Sequence, residues 1–406
     1  MNLDVEPSAR LRRVLFVDDE PHLLAGLRRM LRAKRDVWEM DFAEGGESAL
    51  AKMAEQPFDV VVSDMRMPGM DGGQLLALVR QRYPRTARII LSGHADRAAI
   101  ISAVGPTQQY LAKPCEVEVL VEVLERVLSV RDLIVEDRLA DLLGGVESLP
   151  KPPQIYEEML AISTDPECSL ADVVTVIERD MATSAEVLRL VNSAFFGLPS
   201  AVTTINRAVS LLGLETIQAL AVAGAVFAAG GPPPPGVDVE RLSERGLEVG
   251  QLCRRIAGAE CWSRQAVGDA FFAGMLYEVG LPVLAGAQPV GWNSANALAA
   301  DDLEGERDAE IDQFGCSVTQ ASAYLLGLWG FNEPVVEAIA TQPAEPCAPG
   351  TVPAAQLLTF ARRQICYPDQ PHPTCETGYF TADRLARWQE LVADLAIHPN
   401  SAPSRG

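Results

Sequence analysis

Histidine is scarce in this chain. There are four among 406 residues (His22, His94, His372 and His398), and none lies between 95 and 371. A metal centre built from histidines of that long middle stretch is therefore excluded. The eight cysteines show no paired C-x-x-C spacing, so they read as reduced thiols of a cytoplasmic chain. Cys366, His372 and Cys375 are close in sequence, but three prolines intervene and no fourth ligand is near. No apolar run reaches the length of a membrane span. Leu220–Ala229 comes closest and reads as a buried helix. The first residues lack the basic start and apolar core of a signal peptide, so a cytoplasmic location with no membrane partner is expected. Cations are also in deficit: 34 Lys and Arg stand against 55 Asp and Glu, a net charge of −21. Such a chain repels polyanions over most of its surface, and no nucleic-acid partner is expected. Two basic segments, Arg10–Arg13 and Arg28–Arg35, read as solvated flanks of a strand and a helix.

What the chain has is apolar material, 48% of its residues, enough for two or three packed domains. Residues 12–128 alternate short Val/Ile/Leu runs with amphipathic segments. The pattern predicts strands near 13–17, 38–42, 59–63, 88–91 and 108–111. Helices are predicted near 21–34, 47–56, 73–81, 97–104 and 116–128. Continuous apolar runs mean strands covered on both faces, hence an α/β doubly wound, five-stranded parallel sheet, flavodoxin-like in type. Ligands of such sheets bind beyond the carboxyl ends of the strands.

Those ends are chemically loaded. Val14–Val17 runs into Asp18-Asp19, Val60–Ser63 into Asp64, Arg88–Leu91 into Ser92, and Gln108–Ala112 into Lys113. A carboxylate attacks a phosphorylated donor only when the developing negative charge is neutralised by a divalent cation and fixed donors. Asp18 and Asp19 beside Asp64 offer oxygen ligands for Mg²⁺. Lys113 and Ser92 can meet phosphoryl oxygens.

On these residues, with the turn Asp64-Met65-Arg66-Met67-Pro68-Gly69 and the Lys113-Pro114 pair, residues 12–128 resemble the receiver domain of two-component response regulators. The resemblance implies that Asp64 accepts phosphate from a sensor histidine kinase. It implies that Asp19, Asp64 and the backbone carbonyl of Arg66 bind Mg²⁺ directly and Asp18 through water. Tyr110 would be the aromatic switch that turns inward on activation.

From about 116 the pattern becomes helical. The helix at 116–141 admits two readings, a homodimer seam or a helix packed on its own domain followed by a linker at 129–143. Residues 144–342 then predict an all-α domain, with helices near 154–163, 169–179, 182–192, 203–211, 213–228, 241–258, 264–278, 308–327 and 332–341. A helical extension follows at 343–396 (helices 354–365 and 381–396), and then a disordered tail at 397–406. The segments Leu149–Pro153, Ile177–Asp180, Leu188–Gly197, Ile205–Gly213 and Leu325–Phe331 resemble the HDOD output domain, a relative of the HD metal-dependent phosphohydrolases.

Where HD enzymes carry His-Asp this chain reads Tyr277-Glu278. Val318 and Thr341-Gln342 stand near other family histidine positions. Asn192 and Ser193 read as cap or buried hydrogen-bonding residues rather than site residues. A carboxylate-only metal set of Glu278, Asp269 and Asp312 is the one conceivable substitute. The resemblance thus implies a phosphorelay response regulator whose HDOD domain needs no cofactor, is not an enzyme and binds a protein target. The competing expectation is a cryptic metal-dependent phosphodiesterase acting on cyclic dinucleotides.

Overall fold

The computed structural model describes residues 11–93, 109–130, 137–144, 146, 158, 169–192, 202–212, 233–298, 303–341, 353–368 and 381–393. The chain divides into two compact units, Met1–Leu128 and Ser129–Gly406.

In the first unit β1 (Arg12–Val17), β2 (Trp38–Ala43), β3 (Val60–Asp64), β4 (Ala87–Gly93) and β5 (Gln109–Lys113) form one parallel sheet in the order β2-β1-β3-β4-β5. The connecting helices are α1 (Pro21–Met30), closed by a tighter turn at Leu31–Lys34, then α2 (Gly46–Glu55) and α3 (Gly72–Arg82). Helix α4 (Val117–Val130) follows β5. The helix predicted near 97–104 lies outside the described residues. Val14–Val17, Val60–Val62 and Ile89–Ile90 are all but inaccessible to water, which is why their sequences do not alternate. The chain leaves β1 toward β2 and returns to β3 on the other side, so the crevice between β1 and β3 is the switch point of the sheet. Register aligns the strand ends there: Val17 pairs with Ser63, Asp64 with Leu91, and Gly93 with Lys113.

The described part of the second unit is helical: α5 (Asp137–Gly144), α6 (Leu170–Glu178), α7 (Met181–Asn192), α8 (Ile205–Leu212), α9 (Val239–Ala259), α10 (Arg264–Leu276), α11 (Leu281–Ala287), α12 (Pro289–Leu298), α13 (Leu303–Phe314), α14 (Val318–Leu328), α15 (Glu333–Ala340), α16 (Pro353–Cys366) and α17 (Ala382–Ala393). Helix α9 packs along α10, and α16 packs on α9, α10 and α15. The segment Arg264–Ala287 is long and apolar enough to cross a membrane, yet 83% of its most apolar window is buried within the protein. Trp388 of α17 is fully buried edge-on against Phe360, so the extension after 343 shares this core.

Two expectations are corrected. The single helix predicted over 308–327 is two, α13 and α14. Its apolar period runs on across the break, but Gly315 takes a left-handed φ of +78° and Ser317 starts a new helix. The Ser317 hydroxyl accepts the Gln320 N–H while the Gln320 side chain accepts the Ser317 N–H, a closed capping box. Helices α11 and α12 were not anticipated. Each carries a proline in its first turn, where the missing N–H costs nothing, so Pro282 and Pro289 open helices instead of ending one. Ser317→Ala is expected to lower stability by about 1 kcal/mol. Urea unfolding followed by circular dichroism will show this as a lower midpoint at unchanged slope.

Candidate functional site

At the switch point, the carboxyl end of β1 presents Asp18 and Asp19, that of β3 presents Asp64, and that of β5 presents Lys113. Asp18 and Asp64 are 2% and 8% exposed. The Lys113 ammonium donates to Asp18 Oδ2 at 2.7 Å and forms an ion pair with Asp64 Oδ1. The other oxygens are held by local backbone. Asp18 Oδ1 accepts the Glu20 N–H at 2.9 Å, and Asp64 Oδ2 accepts the Arg66 N–H at 2.8 Å. Burial alone would pull the Lys113 pKa down. Hydrogen bonds and charge from Asp18 and Asp64 outweigh it and hold the ammonium above its ordinary value.

The turn after Asp64 is locked to the strand. Gly72 N–H donates to the Met65 carbonyl at 2.9 Å, and a Cβ at Gly72 would run into the Asp64 carbonyl. Asp19, next after Asp18 beyond the end of β1, is half-buried. Ser92 and Tyr110 are placed by their backbones alone: Ser92 pairs with Ala112 and Tyr110 with Ile90, and their side chains lie outside the described residues.

The carboxylates of Asp18 and Asp64 against one ammonium leave a formal excess of one negative charge, and Asp19 follows next in the chain, so oxygen donors suited to a hard divalent cation lie at this strand end. Among the described residues no three His, Cys, Asp or Glu side chains gather closely enough to form a ready-made cage. Mg²⁺, which keeps several waters and takes one or two carboxylates, fits such an open donor set.

In the second unit the residues after α10 are built into an arginine network. Arg245 of α9 grips Glu278 with two hydrogen bonds, Nε to Oε2 at 2.9 Å and Nη2 to Oε1 at 2.8 Å. Arg362 of α16 lies 4.5 Å over the buried Tyr277 ring, and its Nη2 donates to Glu306 at 3.4 Å. Tyr277 Oη meets Cys366 Sγ at 3.8 Å. Burial, then the Cys366 and Glu278 charges, drives Tyr277 well above its usual pKa, and burial pushes Cys366 up to about 11. His372 and Cys375 lie outside the described residues.

The carboxylate-only set does not converge. Glu278 belongs to Arg245, Asp269 accepts from Gln265 and Asn332, Asp312 is exposed, and these three form no cluster. Asn192 uses its amide to clasp the backbone of Val202, accepting its N–H at 2.6 Å and donating to its carbonyl at 2.9 Å. That is a structural tie. Ser193 and Gln342 lie outside the described residues, and Thr341 donates to the Glu337 carbonyl.

Sequence reasoning missed Arg245, Arg362 and Glu310. Arg245 and Arg362 acquire their roles from helices far away in the chain, and no local pattern announces any of the three. Glu310 is buried, with one oxygen accepting the Val318 N–H at 2.8 Å, beside a shallow cleft lined by Glu306, Thr319, Thr359 and Arg362. Burial, reinforced by the Glu306 charge, pushes its carboxyl up to about 8. A carboxyl raised from 4.5 to about 8 binds its proton more tightly in the folded state, so stability falls as pH rises through that window. Glu310→Gln is expected to flatten this decline and to raise the melting temperature at the alkaline end relative to the unaltered protein. Thermal unfolding across that pH range checks it, and an unchanged slope contradicts it.

Comparison with known proteins agrees with this division. A family model for the response regulator receiver domain matches residues 14–125, and one for the HDOD domain matches residues 149–344. The C4-dicarboxylate transport transcriptional regulatory protein DctD of Pseudomonas aeruginosa is 37% identical over 128 residues, covering 31% of this chain and 27% of that protein. Response regulator protein FleR of the same organism is 31% identical over 178 residues, covering 43% and 35%. The chain spans about a quarter of the length of the first curated relatives it matches.

Among solved structures, the signal receiver domain of an HD domain-containing protein from Pseudomonas fluorescens Pf-5 is 33% identical. It covers 30% of this chain and 98% of that chain at a TM-score of 0.29. A fragment of the MmoQ response regulator of Methylococcus capsulatus is 20% identical, covering 60% and 91% at a TM-score of 0.46. The strand-end site lies within the first family match: the chain carries a response regulator receiver domain followed by an HDOD domain.

Proposed function

We propose that Asp64 is the phosphoacceptor of a phosphorelay and that its phosphorylation switches the HDOD domain, a binding module, in the cytoplasm. The observation that carries this reading is the Lys113 ammonium held between Asp18 and Asp64 at the sheet's switch point. An Asp64 oxygen attacks the phosphorus of a phosphohistidine on the partner kinase. The new O–P bond forms as the P–N bond breaks, and the imidazole leaves and takes up a proton. Asp18, Asp19, Asp64 and the Arg66 carbonyl would hold Mg²⁺, which when bound would supply charge neutralisation for the transferring group. Lys113 exchanges its Asp64 contact for a phosphoryl oxygen, and the Ser92 hydroxyl donates to another.

The added charge, about −1.5 to −2, is what draws both groups inward. Tyr110 follows, and α4 carries the change onward, altering homodimer pairing or freeing an HDOD surface for its protein target. Reading the second unit as non-catalytic rests on the arginine network. Glu278 is fully engaged by Arg245, and Tyr277 is enclosed by Arg362 and Cys366.

Incubation with acetyl phosphate and Mg²⁺ is expected to add one phosphoryl group per chain, mapped to Asp64 by intact-mass and peptide analysis, and Asp64→Ala is expected to add none. Light scattering with beryllofluoride and Mg²⁺ is expected to shift mass or protease sensitivity in the unaltered protein alone. Label on another residue, or an Asp64→Ala protein that still responds, overturns the proposal.

A further inference from the structure

The acidity of the chain is unevenly spread. Residues 1–128 hold 17 Lys and Arg against 19 Asp and Glu, so −19 of the net −21 belongs to residues 129–406. Within the receiver the cations gather at one end. In a parallel sheet the strand starts and the preceding helix ends share an edge, opposite the phosphoacceptor. Residues 28–35, closing α1, hold five cationic side chains and no acid; residues 80–88, from the end of α3 into β4, hold four and no acid, of which Arg88 is buried. Backbone bonds join the edge: Arg12 N–H to the Val37 carbonyl at 3.2 Å, Asp59 N–H to Arg13 at 2.8 Å, and Ala87 N–H to Asp59 at 2.9 Å. Of the acids at this edge, Glu39 and Glu125 are paired with Arg13 and Lys34, and Asp36 is exposed beside Arg35. Arg29, Arg32, Arg35 and Arg82 stand exposed, and among them Met30 and Val37 are each 51% exposed. Arg12, Arg13 and the segment Arg28–Arg35 thus belong to one basic and apolar edge.

The output domain carries the complement. Residues 301–312 hold seven acids and one arginine; Glu304 and Glu306 are paired with Arg363 and Arg362, Asp308 with Arg307, and Glu310 is buried. Asp308, Ile311 and Asp312 fall on one exposed face of α13 at helical spacing. Helix α12 packs antiparallel to α13, since Gly291 lies against Phe314, and this brings the 80%-exposed Val290 to the same end as Ile311.

We infer that the basic base of the receiver docks the acidic α12–α13 hairpin of a second copy of this chain, with Met30 and Val37 meeting Val290 and Ile311. Charge sign and apolar content match on the two faces. At 0.15 M salt, charges more than about 8 Å apart are screened, so contact between opposite poles outweighs the net repulsion of two acidic chains. The contact is heterologous and joins different faces. It does not depend on Asp64 or on phosphorylation.

Light scattering of the unphosphorylated full chain, without Mg²⁺, tests it. The mass is expected to be at least twofold higher at low salt than at about 1 M salt, where the screening length is about 3 Å. A base variant (Arg29→Glu, Arg32→Glu, Arg35→Glu) and a hairpin variant (Asp308→Lys, Asp312→Lys) are each expected to stay at one chain mass. An equimolar mixture of the two restores opposite charges across the contact and is expected to regain mass. Circular dichroism and melting curves like those of the unaltered protein show that both variants fold. One chain mass for the unaltered protein at every salt concentration, or a mixture that stays monomeric, overturns the inference. So does binding to phosphatidylglycerol vesicles that the base variant alone loses while solution mass is unaffected, which would assign the face to lipid.

Discussion

The Lys113 ammonium, seated between the carboxylates of Asp18 and Asp64, is the interaction on which the receiver's chemistry depends. Two buried carboxylates on neighbouring strand ends repel each other and pay heavily for lost water, unless a cation lies between them. Lys113 supplies that cation from β5, the far edge of the sheet, so the ion pairs also tie β5 to β1 and β3. One ammonium cannot balance both Asp18 and Asp64, so the pair keeps a net negative charge. Under the proposed function that residual charge is what a divalent ion would offset before a phosphoryl group is taken up.

The second unit solves a similar problem differently. Arg245 and Arg362 bring two guanidinium groups into a buried region containing Glu278, Glu306 and Glu310, with Tyr277 lying beneath Arg362. A guanidinium engages a carboxylate with two parallel hydrogen bonds and cannot lose its proton in a protein. The pair Arg245–Glu278 is therefore a fixed brace between α9 and the end of α10. Breaking such a pair from one side leaves an uncompensated buried charge, which favours a rigid element that moves as a whole.

Much of the receiver was legible because its physics is local. Strands covered on both faces must be continuously apolar, so the first charged residue after Val17 or Ser63 marks the sheet's rim, and Asp18 and Asp64 follow from that. The break at Gly315 was hidden, because the apolar period persists through it and only the left-handed backbone reveals the turn. The Arg245–Glu278 brace was equally hidden. Its partners are 33 residues apart on different helices, and nothing in either segment names the other. The side chains of Ser92 and Tyr110 lie outside the described residues, so their part in the switch rests on strand position.

The charge balance at Lys113 is open to direct measurement. Mg²⁺ titration followed by NMR of the Asp64 and Lys113 amides compares the unaltered protein with Lys113→Met. If the ammonium is the counter-charge that competes with a metal, its removal leaves all three carboxylates unopposed and Mg²⁺ binds several-fold more tightly. Weaker or absent Mg²⁺ binding in Lys113→Met would contradict the account.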